Sequence, residues 1–157
     1  MIGHKGHPEV EGTMGQLTSG IHLVEDVADV AKVQPGQTEK LAVVTQTTLS
    51  VDDVAEIAAA VRARFPLVRE PKHQDICYAT QNRQSAVKQI AATADLVIVV
   101  GSRNSSNSVR LVEVALEAGA KAAYRVDNAG EIDTTWLDGV ASVGVTSGAS
   151  VPDELVQ

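Results

Sequence analysis

The sequence predicts an α/β fold made of two small parallel-sheet lobes, and three observations support this prediction. Short apolar runs alternate with segments of helical periodicity, which is the pattern of strand–helix–strand units. Hydrophobic residues make up 44% of the 157 positions and aromatic residues only 3%, a composition typical of parallel strands covered by alanine-rich helices. The polar stretch at residues 69–75, which contains Pro71, predicts a linker between two units. We therefore place the lobes at residues 1–73 and 74–157.

The first lobe contains one clear strand pattern and one clear helix pattern. Residues 41–44 form an apolar run that is followed by the polar residues 45–48. A helix is expected to begin after Ser50, because Ser-Val-Asp-Asp resembles a capping box. Its apolar residues recur at helical spacing as far as Phe65, and Pro66 ends it.

The second lobe repeats the alternation more clearly. Helices are predicted at residues 86–94 and 109–118, with Gly119 as the stop signal of the second helix. Strands are predicted at residues 96–100, 121–126 and 140–145. Residues 101–108 and 146–150 are loops of small polar residues, and residues 129–137 are a polar connection with a short helix. Residues 151–154 read as the opening of a further helix, with a proline in the first turn beside two acids.

Composition narrows the function classes. The formal net charge of −7 argues against nucleic acid as a partner, because a nucleic-acid-binding protein normally shows a basic face. No apolar run approaches the roughly 20 residues of a membrane span, and no signal peptide is visible. A single cysteine excludes an internal disulfide framework and fits a reducing cytoplasm.

The polar loops fall where ligands bind in parallel sheets, beyond the carboxyl ends of the strands. In the loop GSRNSSNS, residues 101–108, hydroxyls and amides converge at a helix N-terminus, which suits a phosphate or diphosphate. The alternative is an ordinary helix cap, because Ser and Asn are preferred capping residues. The same two interpretations apply to VTSGAS, residues 145–150. Neither loop has the lysine of a Walker motif.

Cys77 also has two interpretations. A lone cysteine is most often a small buried hydrophobic residue. Cys77, however, precedes a predicted helix start near Thr80, where the helix dipole favours a thiolate. A thiolate there could serve as one ligand of an iron–sulfur cluster, which usually needs four cysteines.

The stretch GHKGHPEVEGTMGQ, residues 3–16, holds the densest group of proton-handling side chains. His4 and His7 could bind a metal, but no further His or Cys lies at a familiar spacing. The better-motivated hypothesis is an anion site in which His7 donates to a phosphate oxygen and Glu9 delivers a proton. The alternative is a surface loop with scattered polar residues.

Five motifs in this order resemble one family. GHPEVEGTMGQ, TQTTLSVDD, DICYATQNRQ, GSRNSSNS and GVTSGASVPD are similar to segments of the 4-hydroxy-3-methylbut-2-enyl diphosphate reductases, the IspH or LytB family. The resemblance extends from residue 3 to residue 157. It implies a three-lobed, pseudo-threefold α/β fold around a [4Fe–4S] cluster. It also implies reductive dehydroxylation of the substrate to isopentenyl and dimethylallyl diphosphate, the last step of the non-mevalonate isoprenoid pathway, with ferredoxin or flavodoxin as electron donor.

The resemblance also implies a role for individual residues. Cys77 corresponds to the third cluster cysteine, Glu9 to the proton-supplying acid, and Thr47 to the threonine near the substrate hydroxyl. The diphosphate-binding residues correspond to His7, Ser105, Ser106, Asn107 and Ser150.

Some parts of the family pattern have no counterpart here: two cluster cysteines and two histidines that precede the segment matching Met1, and a helix and tail that follow Gln157. We therefore expect Met1 to be an internal methionine of a longer protein. One interpretation is a piece of the reductase, a second is an inactive diphosphate-binding module without redox activity, and a third is a partial product that assembles with a complementary fragment.

Overall fold

The computed structural model describes residues 1–71 and 75–156, and it confirms the predicted α/β class. The chain divides into two compact units, Met1–Cys77 and Tyr78–Gln157. The predicted lobe boundary between residues 73 and 74 lies outside the described residues.

The second unit contains a three-stranded parallel sheet with the order β2-β1-β3. Its strands are β1 (Leu96–Val100), β2 (Ala122–Val126) and β3 (Val143–Ser147). Leu96 lies opposite Ala122 on one side and opposite Val143 on the other. The prediction for β1 is confirmed at both ends, and all five of its apolar residues are buried. β3 begins and ends later than predicted, so Thr146 belongs to the strand rather than to the following loop.

Two helices, α4 (Tyr78–Ala91) and α5 (Ser106–Glu117), pack in the second unit. Their apolar faces share a core with alternate residues of β1, among them Val97 and Val99. The opposite face of β1 packs against the segments that follow β2, including Trp136. These segments hold 3₁₀ turns at Ala129–Glu131 and Thr134–Leu137, and a third turn lies at Asp153–Leu155.

Both helices of the second unit begin earlier than the apolar periodicity predicts. α4 extends eight residues further towards the N-terminus than expected, because its first half buries the polar residues Thr80 and Gln84 in place of apolar ones. α5 begins at Ser106 because the side chain of Ser105 accepts the Ser108 amide and so caps the helix. The predicted helix after residue 150 is a single 3₁₀ turn.

Asp95 joins the amino ends of all three strands. Its side-chain oxygens accept hydrogen bonds from Lys121 Nζ at 2.6 Å, from Ala141 N at 3.1 Å and from Ser142 N at 3.2 Å. Lys121 directly precedes β2, and Ser142 directly precedes β3. This contact holds residues 141 and 142 in a turn, which is why β3 does not begin at the predicted residue 140.

The first unit contains α1 (Pro8–Met14), α2 (Val27–Val30), α3 (Val51–Arg64) and a 3₁₀ turn at Thr38–Lys40. Helix α3 confirms the prediction, and Ser50 caps it by accepting the Asp53 amide. The interpretation of residues 3–16 as a surface loop was wrong, because α1 lies within them and buries Val10 completely. No continuous strand forms at residues 41–44. Among the described residues, this unit has isolated parallel bridges, Ile2 with Val24 and Thr45, and Ala42 with Arg69.

The two units share one connectivity. In the first unit, Gly3 N donates to Val24 O at 3.1 Å. Gly101 N makes the corresponding hydrogen bond in the second unit, to Val126 O at 2.8 Å. Gln46 N donates a hydrogen bond to Ile2 O at 2.9 Å. Gly148 N makes the corresponding hydrogen bond to Val100 O, also at 2.9 Å. In each unit a central segment, Ile2 in the first and β1 in the second, thus pairs with the next segment on one side and with the third on the other. A helix follows each central segment, and its N-cap lies four residues after the glycine: His7 in the first unit and Ser105 in the second. Glu9 and Asn107 consequently occupy corresponding positions.

No helix in the described part of the chain is both long enough and apolar enough to span a lipid bilayer.

The Asp95 contact predicts a specific acid sensitivity. Hydrogen bonds from Lys121 and then from the Ala141 amide lower the pKa of Asp95 below its ordinary value of 3.8. Its contribution to stability is therefore complete above the ordinary pKa and is lost as pH falls through the lowered one. We expect Asp95→Asn to lower Tm at neutral pH and to flatten the decline of Tm on acidification, measured by circular dichroism. Asp138→Asn, at an exposed aspartate of the same unit, is the control. Parallel Tm curves for the wild type and Asp95→Asn would contradict this role.

Candidate functional site

Helix α1 places His7 and Glu9 at its N-terminal end. Pro8 occupies the first helical position, and Glu9 and Glu11 lie in the first turn, where the helix dipole favours acids. His7 caps the helix, since its Nδ1 accepts the Glu9 amide at 3.3 Å. As the acceptor of this hydrogen bond, Nδ1 carries no proton, so Nε2 is the ring nitrogen that can donate. The Pro-acid pattern after His7 was the sequence signal that could have predicted this helix.

The carboxylate of Glu9 is bound twice by Thr47. Thr47 Oγ1 donates to Glu9 Oε1 at 2.7 Å, and Thr47 N donates to Glu9 Oε2 at 3.1 Å. His7 Nδ1 lies 3.9 Å from the same Oε2, and the side chains of His7 and Glu9 are 20% and 38% exposed. The structure thus brings together three residues that the sequence predicted from two distant motifs, and leaves the carboxylate accessible from solvent.

Gln46 joins the same two segments and was missed by the sequence analysis. Its side chain is buried, with Oε1 accepting the His4 amide at 3.0 Å and Nε2 donating to Thr48 Oγ1 at 2.9 Å. A glutamine in the polar run TQTT carries no local signal for burial. Its position depends on the bridge between Ile2 and Thr45, which is a long-range contact.

Cys77 lies beside the same threonine. Its backbone N donates to Thr47 O at 3.0 Å, and two residues earlier Asp75 Oδ2 accepts the Thr45 amide at 2.9 Å. The thiol-bearing residue is exposed, so the interpretation of Cys77 as a buried hydrophobic residue was wrong. Cys77 directly precedes α4, close to the predicted helix start. The first unit therefore gathers His7, Glu9, Thr47 and Cys77 around the segment that follows Thr45.

The second unit gathers the other predicted residues at the carboxyl edge of its sheet. Ser105 caps α5, so the helix-cap interpretation is correct for this residue. The cap does not account for Asn107, which is 6% exposed and whose side-chain Nδ2 and Oδ1 are buried with no partner among the described residues. A buried polar group without a partner is costly and calls for an explanation. An anion at the start of α5 would supply the missing partner for the Nδ2 group.

Ser150 follows the end of β3 at the same edge of this sheet, and its side chain is exposed. Ser106, in the first turn of α5, is partly exposed. The carboxyl ends of β1 and β3 are adjacent because the two strands pair in parallel. The loop after β1 and the loop after β3 thus share one edge, as the sequence predicted for parallel strands.

The described residues contain no group of three or more His, Cys, Asp or Glu side chains placed to hold a metal ion. The whole sequence contains one cysteine, whereas iron–sulfur clusters are usually held by four thiolates. The residues of this chain therefore do not by themselves fit such a cluster. Cys77, exposed and fixed at its backbone, fits one ligand position.

Comparison with known proteins gives a consistent result. The family model described as LytB protein matches residues 1–157. A 4-hydroxy-3-methylbut-2-enyl diphosphate reductase of Polaromonas sp. strain JS666 is 69% identical over 157 residues, which are 100% of this chain and 47% of the relative. The reductase of Cutibacterium acnes is 60% identical over 157 residues, 100% of this chain and 49% of the relative. The chain spans about half the length of the curated relatives it matches.

A solved structure has the same fold. The structure of the E-1-hydroxy-2-methyl-but-2-enyl-4-diphosphate reductase from Plasmodium falciparum aligns with a TM-score of 0.93 at 39% sequence identity. The alignment covers 99% of this chain and 49% of that chain.

The unpartnered amide of Asn107 predicts an unusual stability effect. We expect Asn107→Leu to leave the free energy of unfolding unchanged or to raise it by up to about 2 kcal/mol, because it removes a buried polar group that has no partner. Urea unfolding measures this difference, with Asn104→Leu, at an exposed position of the loop that precedes α5, as the matched control. A loss of more than about 1 kcal/mol at Asn107 alone would mean that the amide stabilises the fold.

Proposed function

The chain belongs to the LytB protein family, and on that premise we propose that it provides acid–base and diphosphate-binding residues of a 4-hydroxy-3-methylbut-2-enyl diphosphate reductase. The single observation that carries the proposal is the pairing of Glu9 with Thr47, next to Cys77. An acid fixed by two hydrogen bonds beside a candidate cluster ligand is suited to protonating a leaving hydroxyl.

The proposed reaction replaces an allylic hydroxyl by hydrogen. Two electrons and two protons are consumed, one C–O bond breaks, one C–H bond forms, and the hydroxyl leaves as water. The electrons come from an external donor of the ferredoxin or flavodoxin class. Cys77 would supply one thiolate ligand of a [4Fe–4S] cluster, and the chemistry that such a cluster would supply is electron transfer.

Glu9 acts as the proton donor in this proposal, and Thr47 is placed to position the hydroxyl. The Thr47 O–H donates to Glu9 Oε1 at 2.7 Å, so the lone pairs of Thr47 Oγ1 are directed away from Glu9. A substrate hydroxyl that donates to one of these lone pairs would be held beside the carboxyl group. Short fixed geometry of this kind is what general acid catalysis requires.

The diphosphate would be bound by groups that can only donate, or that are oriented to donate. His7, whose Nδ1 accepts the Glu9 amide, is proposed as one of these donors. Asn107 offers the buried Nδ2 amide, and the start of α5 adds backbone N–H groups and the positive end of a helix dipole. Ser105, Ser106 and Ser150 complete the proposed set with hydroxyl donors.

A second function, an inactive diphosphate-binding module, is favoured by one observation. The second unit carries its proposed anion-binding residues complete, whereas the chain carries one cysteine. Anion binding without a cluster distinguishes this alternative from the reductase.

The role of Glu9 predicts a loss of turnover with little loss of binding. In a catalytically competent reductase that includes this chain, we expect Glu9→Gln to lower kcat by about 10²–10⁴, the scale of a lost general acid. The affinity for the diphosphate substrate should change little, which steady-state kinetics and calorimetry measure. Glu11→Gln is the control, because this neighbouring carboxylate accepts the exposed Gly6 amide instead. Turnover at the wild-type level in Glu9→Gln would remove Glu9 from the mechanism.

The single cysteine predicts the outcome of cluster reconstitution. With iron and sulfide under anaerobic conditions, we expect this chain alone to form no stoichiometric cluster, because one thiolate is too few. Iron per chain and the visible absorption band are the readouts, and Cys77→Ser is the control. A cluster of about four irons that depends on Cys77 would contradict this expectation and show that several chains pool their cysteines.

A further inference from the structure

Ser108 occupies an unusually tight position in the first turn of α5. Its side chain is fully buried, between Gly101 and Gly148. A Cβ atom added to either glycine would lie 2.2 Å from Ser108 Oγ. Real Cβ atoms do not approach that closely, so Ser108 leaves no room for a side chain at either position.

The two glycines end two different strands. Gly101 follows β1, has a φ of +154°, and donates its N–H to Val126 O at 2.8 Å. Gly148 follows β3 and donates its N–H to Val100 O at 2.9 Å. Ser108 therefore contacts the carboxyl ends of both strands at once. It joins the loop that carries Ser105 and Asn107 to the loop that carries Ser150.

Ser108 also fixes the direction of the Ser105 hydroxyl. Ser105 Oγ accepts one hydrogen bond from Ser108 N at 3.3 Å and a second from Ser108 Oγ at 3.0 Å. A hydroxyl oxygen has two lone pairs, and here both are used. The Ser105 proton must then point away from Ser108. Ser105 is left as a hydrogen-bond donor, which is the form that binds an anion.

The first unit provides an internal comparison. Val10, seven residues after Gly3 as Ser108 is seven residues after Gly101, fills the corresponding position and is fully buried. A Cβ on Gly3 would lie 2.6 Å from Val10 Cγ2, so the close approach is kept without a hydroxyl. Packing at this position therefore does not require a serine, and the Ser108 hydroxyl has another role.

We infer that Ser108 is a positioning residue for the diphosphate site of the second unit. It aligns two loops with each other and holds the Ser105 hydroxyl as a donor, without contacting the ligand. This inference rests on the proposed diphosphate-binding function of the loops.

The first experiment measures binding of inorganic pyrophosphate to the full chain by calorimetry, at a temperature where each variant is fully folded. We expect Ser108→Ala to weaken binding by about three- to tenfold, the range of one lost hydrogen bond. Ser85→Ala, at an exposed serine of α4, should bind as the wild type does. Equal affinity of the wild type and Ser108→Ala would overturn the inference and leave the proposed function intact. If the wild type binds no pyrophosphate, the proposed function of these loops fails, and the positioning role fails with it.

The second experiment tests the contact without any ligand, through a double-mutant cycle on Tm. Gly148→Ala places a methyl 2.2 Å from Ser108 Oγ but 3.4 Å from Ser108 Cβ, so removal of the hydroxyl relieves the clash. We expect Gly148→Ala to lower Tm by roughly 5–15 °C, and the double variant with Ser108→Ala to recover most of that loss.

Gly101→Ala is the matched control of this cycle. Its methyl would lie 2.8 Å from Ser108 Cβ, and its φ of +154° is strained for any side chain. Ser108→Ala should therefore not rescue it. A double variant of Gly148→Ala and Ser108→Ala that is less stable than Gly148→Ala alone would overturn the inference.

Discussion

The placement of Glu9 and Asn107 depends on one constraint, the close approach of a helix to the end of the central segment of its unit. Gly3 and Gly101 make this approach possible, because a side chain at either position would overlap the residue seven positions later. In the second unit the N-terminus of the helix lies at the carboxyl edge of the sheet, and in the first unit the helix starts at the corresponding distance after Gly3. The first turn of each helix, which carries Glu9 in one unit and Asn107 in the other, is thereby fixed at the edge where ligands bind in parallel folds.

The two units place different side chains on the same backbone arrangement. At corresponding positions, the first unit presents a carboxylate held by Thr47, and the second presents an amide with no partner in the part of the chain that the structure describes. The units also differ in the third segment, which pairs with the central one. In the first unit Gln46 fills the space beside Gly3, whereas in the second unit Gly148 leaves room for the Ser108 hydroxyl. The proposed proton donor and the proposed anion-binding residue thus occupy one backbone arrangement and differ in a few side chains. This follows the general rule that function depends on the site rather than on the fold.

The sequence predicted the elements whose signal is local. β1 is a run of five apolar residues, and α3 has a serine cap and a regular apolar face, so both were placed within one residue. The start of β3 was misplaced because it depends on the contact of Asp95 with the turn at residues 141 and 142. The candidate residues of the first unit were identified from motifs, but their convergence on Thr47 depends on long-range backbone pairing. The burial of Gln46 and the unpaired amide of Asn107 have no local signal at all.

The Asp95 contact has a consequence for how this fold can change over time. It ties the amino ends of the three strands together, at the edge opposite to the loops that hold Ser105 and Ser150. These hydrogen bonds fix the strands at their amino ends, whereas the proposed ligand-binding residues lie at the carboxyl ends. Substitutions in the loops at the carboxyl edge leave this anchor untouched. Apart from Gly101, Ser108 and Gly148, the residues at that edge can therefore change during evolution while the sheet keeps its register, which allows binding specificity to diverge on one scaffold.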